Sequence, residues 1–67
     1  MRVLVNDEIR DFPEGISLAE LLSLQEIKSF SGMALAVNNN VIRKDEWAHT
    51  ILCENDRVLI ITATKGG

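Results

Sequence analysis

The segment ISLAELL, residues 16–22, identifies the one main helix of the chain. Ser17 is a favourable N-cap, and Glu20 follows three residues later, which completes a capping box. Ile16 and Leu21 flank the cap at the spacing of a hydrophobic staple. The leucines of the segment recur at helical spacing and form one apolar face. We therefore predict a helix that begins after Ser17 and ends near residue 26.

Short apolar segments on both sides of this helix predict a β-sheet. Residues 1–5 and 57–64 are apolar at nearly every position, which is typical of central strands. Residues 6–8 form a turn cluster, and residues 9–12 alternate between apolar and charged side chains, so the chain predicts a hairpin of its first two strands. Residues 33–37 predict a third strand, with two alanines on the face opposite its larger side chains.

The remaining segments are shorter. Residues 38–40 are all asparagine, which tolerates the left-handed backbone of tight turns, and Val41-Ile42 predicts a short returning strand. We expect a helical turn over residues 43–47 and a turn at Asn55-Asp56. With the first and last strands side by side in the middle, this order predicts an α+β protein with a ubiquitin-like β-grasp fold. Its mixed sheet has four to five strands and one main helix on one face, and the domain spans residues 1–64.

Length and composition restrict the class of protein. A chain of 67 residues rarely encloses a catalytic cleft of several hundred Å³, which favours a carrier, binding module or subunit over an enzyme. Seven basic and ten acidic residues argue against a nucleic-acid partner. We expect no membrane span and no secretion signal. The single cysteine, Cys53, excludes an internal disulfide and favours a reducing, cytoplasmic setting.

The last residues of the chain suggest a site of chemistry. Glycine has no Cβ, so Gly66 and Gly67 could enter a slot too narrow for other side chains. Residues 65–67 can extend about 10 Å, and we predict that they form a flexible tail that begins at Lys65. Its tip is the ionised α-carboxylate of Gly67, which becomes electrophilic once a partner enzyme joins it to AMP. Gly67 is therefore the candidate modified residue; we assign no catalytic residue and no metal ligand.

One face of the predicted sheet has no helix to cover it. Side chains alternate along a strand, so when Val58 faces the helix, its neighbours face the other way. The candidate partner-docking residues on this face are Leu4, Leu59, Ile61 and Ala63. Ala34 and Ala36 are expected nearby. An exposed apolar patch on a small protein indicates a binding partner. The alternative is that one strand is offset and these residues belong to the core.

Other distinctive residues have plainer interpretations. Cys53 is interpreted as an ordinary structural residue and Trp47 as a packing anchor. His49 has no neighbours that suggest a metal or catalytic role. The acidic residues Asp45, Glu46, Glu54 and Asp56 are expected in solvated turns.

Several sequence features follow one another in a specific order along the chain: residues 1–6, 17–22 and 34–38, then Val41-Ile42, Arg43, Trp47, Asp56 and Gly66-Gly67. Together they resemble the ThiS family of thiamine-biosynthesis sulfur carriers over the whole chain. Asn55 stands where that family often has glycine. Arg43 follows Ile42 directly, without the proline that often separates them in the family.

The resemblance implies a cycle run by partner enzymes. A ThiF-type adenylyltransferase would use ATP and magnesium to adenylate Gly67. Sulfur from a persulfide donor would then replace AMP and leave a thiocarboxylate, and the thiazole synthase ThiG would accept that sulfur. The carrier itself would supply no catalytic group and bind no cofactor.

Three other functions fit the same pattern. The small subunit of molybdopterin synthase ends in the same pair of glycines, although that family tends to be longer. A ubiquitin-like modifier would form isopeptide bonds with lysines of target proteins. A β-grasp interaction module could carry the same tail without using it.

Overall fold

The computed structural model describes residues 1–25 and 32–62. The elements, in chain order, are β1 (Arg2–Val5), β2 (Glu8–Asp11), α1 (Leu18–Leu24), β3 (Met33–Val37), β4 (Asn40–Ile42), a 3₁₀ helix (Lys44–His49) and β5 (Arg57–Thr62). The strands form one mixed sheet in the order β2-β1-β5-β3-β4. β5 runs parallel to β1 and antiparallel to β3, so the predicted placement of the first and last strands is confirmed.

The start of α1 has the predicted geometry. The Glu20 backbone N–H donates to Ser17 Oγ at 3.1 Å, and the Ser17 N–H donates to Glu20 Oε1 at 2.8 Å. The capping box is therefore complete. The helix ends at Leu24 with Gln25 as its C-cap, shortly before the predicted end. Residue 26 and, apart from Gly32, the predicted loop of residues 28–32 lie outside the described residues.

Two tight turns of the same kind close the two hairpins of the sheet. Asn6 and Asp7 have φ angles of 50° and 70°, and Asn38 and Asn39 have φ angles of 50° and 71°. Two successive positive φ angles define a two-residue turn whose twist matches that of a β-hairpin. Because such a turn needs only two residues, β2 begins at Glu8 and not at the predicted position 9.

The core lies between α1 and one face of the sheet. Val3, Val5, Leu35 and Val58 project from the sheet into the same buried cluster as three of the four leucines of α1. Trp47 also belongs to this cluster, which confirms its prediction as a packing anchor, and its indole N–H donates to the Ile42 carbonyl at 2.9 Å. The 3₁₀ helix that carries Trp47 is longer than the predicted single turn.

We predict that Ser17→Ala lowers the free energy of unfolding by about 1 kcal/mol, because the N-cap oxygen that accepts the Glu20 N–H is lost. Ser23→Ala is the matched control, since Ser23 is an exposed residue inside the same helix and alanine favours helix formation. Urea unfolding of both variants measures the difference. Equal stability of the two variants would contradict the role of the cap.

Candidate functional site

Side chains of β5 alternate between the core and an uncovered face of the sheet. Val58 is 2% exposed, whereas Leu59 and Ile61 are each 47% exposed. From β1, Leu4 is half-buried between two buried valines. The predicted placement of Leu4, Leu59 and Ile61 away from the helix is confirmed. Ala63, the fourth predicted docking residue, lies outside the described residues.

The strand register brings these side chains together. Leu59 lies directly opposite Ala36, and Ile61 lies opposite Ala34, on the antiparallel pair β3–β5. Directly paired residues of a sheet project from the same face, so both alanines lie beside the exposed β5 side chains as predicted. Their small size leaves the larger β5 side chains prominent on this face.

Two further apolar residues share this face, although we did not predict them from the sequence. Ile9 pairs with Leu4 and is 63% exposed, and Val41 pairs with Ala36 and is 72% exposed. The sequences of the two turns could have placed these residues on this face, because a two-residue turn fixes which residues pair across each hairpin. We use the name open face for the set Leu4, Ile9, Ala34, Ala36, Val41, Leu59 and Ile61. It spans all five strands.

A shallow depression of about 200 Å³ lies at one end of the open face. Its walls include Leu4, Ala36 and Leu59, with Asn6 and Arg57 among its polar residues. This volume is smaller than the pockets of several hundred Å³ that hold small molecules.

Hydrogen bonds from the two hairpin turns hold β5 between them. The Ile60 N–H donates to Asn6 Oδ1 at 2.8 Å, and the Asn6 N–H donates to the Val58 carbonyl at 2.9 Å. On the other side, the Asn38 N–H donates to the Arg57 carbonyl at 2.8 Å, and the Arg57 N–H donates to Asn38 Oδ1 at 3.0 Å. These backbone and side-chain bonds fix the strand that leads to the C-terminus.

The turn before β5 is organised by Asp56 and is more than the solvated turn that we expected. One carboxylate oxygen accepts from Asn38 Nδ2 at 3.0 Å, and the other accepts from the Cys53 N–H at 2.8 Å. Asn55 has a φ angle of 69°, in the left-handed region that favours glycine. Asparagine is one of the few other residues that adopt it readily, so this departure from the family pattern leaves the turn intact.

The other candidates are at the surface. The Cys53 thiol and the His49 side chain are both exposed. Among residues 1–25 and 32–62, no three His, Cys, Asp or Glu side chains are grouped to hold a metal ion. No helix in that part of the chain is long and apolar enough to cross a membrane.

The base of the predicted tail is the central strand of the sheet. β5 runs to Thr62, and the last two residues of the predicted strand lie outside the described residues. Lys65, Gly66 and Gly67 lie outside them as well, so the flexible tail and the modified residue stay predictions. Five residues separate Thr62 from the terminal carboxylate (67 − 62 = 5).

The fold is that of the ubiquitin-like β-grasp proteins. A crystal structure of a thiamine biosynthesis protein (ThiS) from Geobacter metallireducens matches with a TM-score of 0.86 and 22% identity, over the full length of both chains. An NMR structure of a thiamine biosynthesis protein from the same organism matches with a TM-score of 0.81 and 23% identity, over all of this chain and 88% of the other. These two likenesses establish the β-grasp fold.

Sequence comparisons identify the family. The family model for ThiS matches residues 3–67. The sulfur carrier protein ThiS of Escherichia coli K12 is 30% identical over 67 residues, which is the whole of both chains. The chain belongs to the ThiS family. Among the functions compatible with the sequence pattern, the match favours the sulfur carrier.

Val58→Ser and Leu59→Ser test the alternation along β5. Because Val58 is buried and Leu59 is exposed, we expect Val58→Ser to lower the free energy of unfolding by roughly 2–4 kcal/mol and Leu59→Ser by less than about 1 kcal/mol. Denaturant unfolding measures both values. A larger loss for Leu59→Ser would place the open face in the core.

Proposed function

We propose that the carboxylate of Gly67 is the point at which this chain receives and releases sulfur, through three partner proteins. A ThiF-type adenylyltransferase activates it with ATP and magnesium, a persulfide donor supplies sulfur, and the thiazole synthase ThiG consumes it. The broader role of sulfur carrier in thiamine biosynthesis follows from membership of the ThiS family.

The observation that supports this proposal most strongly is the course of β5. The same strand presents Leu59 and Ile61 on the open face and leads, five residues after Thr62, to the terminal carboxylate (67 − 62 = 5). An enzyme that docks on the open face would therefore be aligned with the tail. Five extended residues span roughly 17 Å, enough to enter a buried active site.

The chemistry requires activation because a carboxylate is a poor electrophile. In the first step, a Gly67 carboxylate oxygen bonds to the α-phosphorus of ATP, and pyrophosphate leaves. The terminal sulfur of the persulfide then attacks the acyl carbon, and AMP leaves with that oxygen. A thiol reductant cleaves the remaining S–S bond and frees the thiocarboxylate. Each catalytic group in this sequence belongs to a partner.

The open face is the proposed docking surface for these enzymes. Four large side chains from three strands of this small protein are exposed there, namely Ile9, Val41, Leu59 and Ile61. Exposed apolar groups that lie together mark an interaction site, because a partner that covers them removes apolar area from water. The depression between Leu4, Ala36 and Leu59 would receive a side chain of the partner.

A chain with one alanine added after Gly67 tests the role of the carboxylate. The added residue displaces the terminal carboxylate by roughly 3.5 Å, so we expect adenylation and sulfur loading to be abolished. Intact-mass spectrometry, after incubation with the adenylyltransferase, ATP, magnesium and a sulfur source, detects replacement of one oxygen by sulfur in the natural chain only. Equal loading of the extended chain would contradict the proposal. Formation of a thiazole phosphate only when ThiG is added assigns the pathway.

Leu59→Glu tests the open face as a docking surface. A partner that covers this position would have to desolvate a carboxylate, so we expect kcat/KM for adenylation to fall at least tenfold while the variant stays folded. Ile51→Glu is the matched control, because Ile51 is 55% exposed but lies outside the five strands. Steady-state kinetics of AMP formation compares the two variants. Similar kcat/KM values for both would contradict docking on this face.

A further inference from the structure

The two neighbours of β5 differ in length. β3 pairs with β5 from Val58 to Thr62. The parallel pairing with β1 ends at Val5 opposite Val58, because the chain turns into the first hairpin at Asn6. Within residues 1–25 and 32–62, the last part of β5 therefore has a neighbouring strand on one side only. We call the unpaired side of residues 60–62 the half-edge.

The hydrogen bonds show which backbone groups face the half-edge. The Leu4 N–H donates to the Asp56 carbonyl and the Asn6 N–H donates to the Val58 carbonyl, so the even-numbered residues of this stretch direct their backbone groups towards β1. The Asn38 N–H donates to the Arg57 carbonyl, so the odd-numbered residues face β3. Because these directions alternate along a strand, the N–H and C=O groups of Ile60 and Thr62 point to the half-edge.

A single side chain occupies part of the half-edge. Asn6 Oδ1 accepts from the Ile60 N–H at 2.8 Å, in the place where a continuing β1 would offer a carbonyl. Beyond this bond, the described part of the chain provides no partner strand for the Ile60 C=O or for the Thr62 N–H and C=O. These remaining groups of Ile60 and Thr62 lie two residues apart, which is the spacing of free backbone donors and acceptors along a strand edge.

The half-edge is unprotected, unlike the two outer edges of the sheet. Proteins protect exposed edges with charged residues, proline or very short strands. The outer strand β2 carries charges at three of its four positions, and β4 has only three residues. The half-edge consists of Ile60, Ile61 and Thr62, with no charge and no proline.

We propose that the half-edge pairs with an extended backbone segment of the adenylyltransferase, which adds a strand beside β5. This inference rests on the proposed function, because it names how the activating enzyme holds the carrier. An extended segment is the ligand that an alternating row of backbone donors and acceptors recognises. The half-edge leads directly into the tail, so the same segment would guide residues 63–67 towards the active site. Docking on the open face would supply apolar contact, and strand addition would fix the direction of the tail.

Amide hydrogen exchange of the ¹⁵N-labelled full chain tests this pairing. In the free carrier, the Thr62 N–H is expected to exchange fast, whereas the Leu59 and Ile61 N–H groups, which face β3, exchange slowly. With saturating adenylyltransferase and ATP but no sulfur source, exchange of the Thr62 N–H is expected to slow at least tenfold.

A backbone substitution distinguishes a hydrogen bond from the Thr62 N–H to the partner from mere burial of that N–H under the partner. In a chemically synthesised chain, an ester in place of the Ile61–Thr62 amide removes the Thr62 N–H and keeps the extended shape. We expect this chain to bind the adenylyltransferase roughly 3- to 10-fold more weakly, as loss of one hydrogen bond predicts. An ester in place of the Arg10–Asp11 amide is the matched control and is expected to bind like the natural chain. The Phe12 N–H donates to the Met1 carbonyl, so the Asp11 N–H points to the outer edge of β2, away from the half-edge.

Each contrary outcome has a distinct meaning. Protection of the Thr62 N–H in the free carrier would overturn the proposal, and protection that rises with carrier concentration would assign the half-edge to a second copy of the chain. An unprotected Thr62 N–H in a complex that still adenylates Gly67 would overturn strand addition and leave the proposed function intact. Failure to form a complex or to adenylate Gly67 would overturn both.

Discussion

The hydrogen bonds that fix β5 between the two hairpin turns are the constraint on which the rest of the structure depends. This strand is the centre of the sheet, supplies Val58 to the core and leads to the C-terminus. Asn6 and Asn38, each the first residue of a hairpin turn, bind it from opposite sides. Because both hairpins are attached to the same strand, its register also sets which side chains appear on the open face. In the proposed function, an enzyme that covers this face also contacts the strand that leads to the tail.

In the proposed function, the two faces of one sheet have separate roles, with the core on one face and partner docking on the other. All the large buried side chains of the sheet lie on the helix side, where α1 and Trp47 complete the cluster. The open face adds little to this core, so its apolar side chains are available to a partner. A small domain buries a limited apolar area. Because the core lies on one side of the sheet only, the other face is accessible for binding. In the proposed cycle, the chemistry is then left to enzymes that can enclose the tail.

Much of this arrangement could be predicted from local sequence. The Ser17–Glu20 capping box, the asparagine turns and the alternation in β5 each depend on residues a few positions apart, where stereochemistry allows few alternatives. The long-range hydrogen bonds could not be predicted in the same way. Asn6 and Ile60 are 54 positions apart, and Asn38 and Arg57 are 19 apart, so their contacts follow from the sheet register. Ile9 and Val41 were missed for the same reason, since only pairing across a hairpin places them on the open face.

The central claim is that the folded domain and the chemically active tip are separable, and removal of residues 65–67 tests it most directly. Two properties of the truncated chain would be measured together: its free energy of unfolding, and its sulfur loading by the adenylyltransferase, ATP and a sulfur source. We predict an unfolding free energy equal to that of the full chain and no thiocarboxylate. A truncated chain that unfolds much more readily, or that still receives sulfur, would contradict this account.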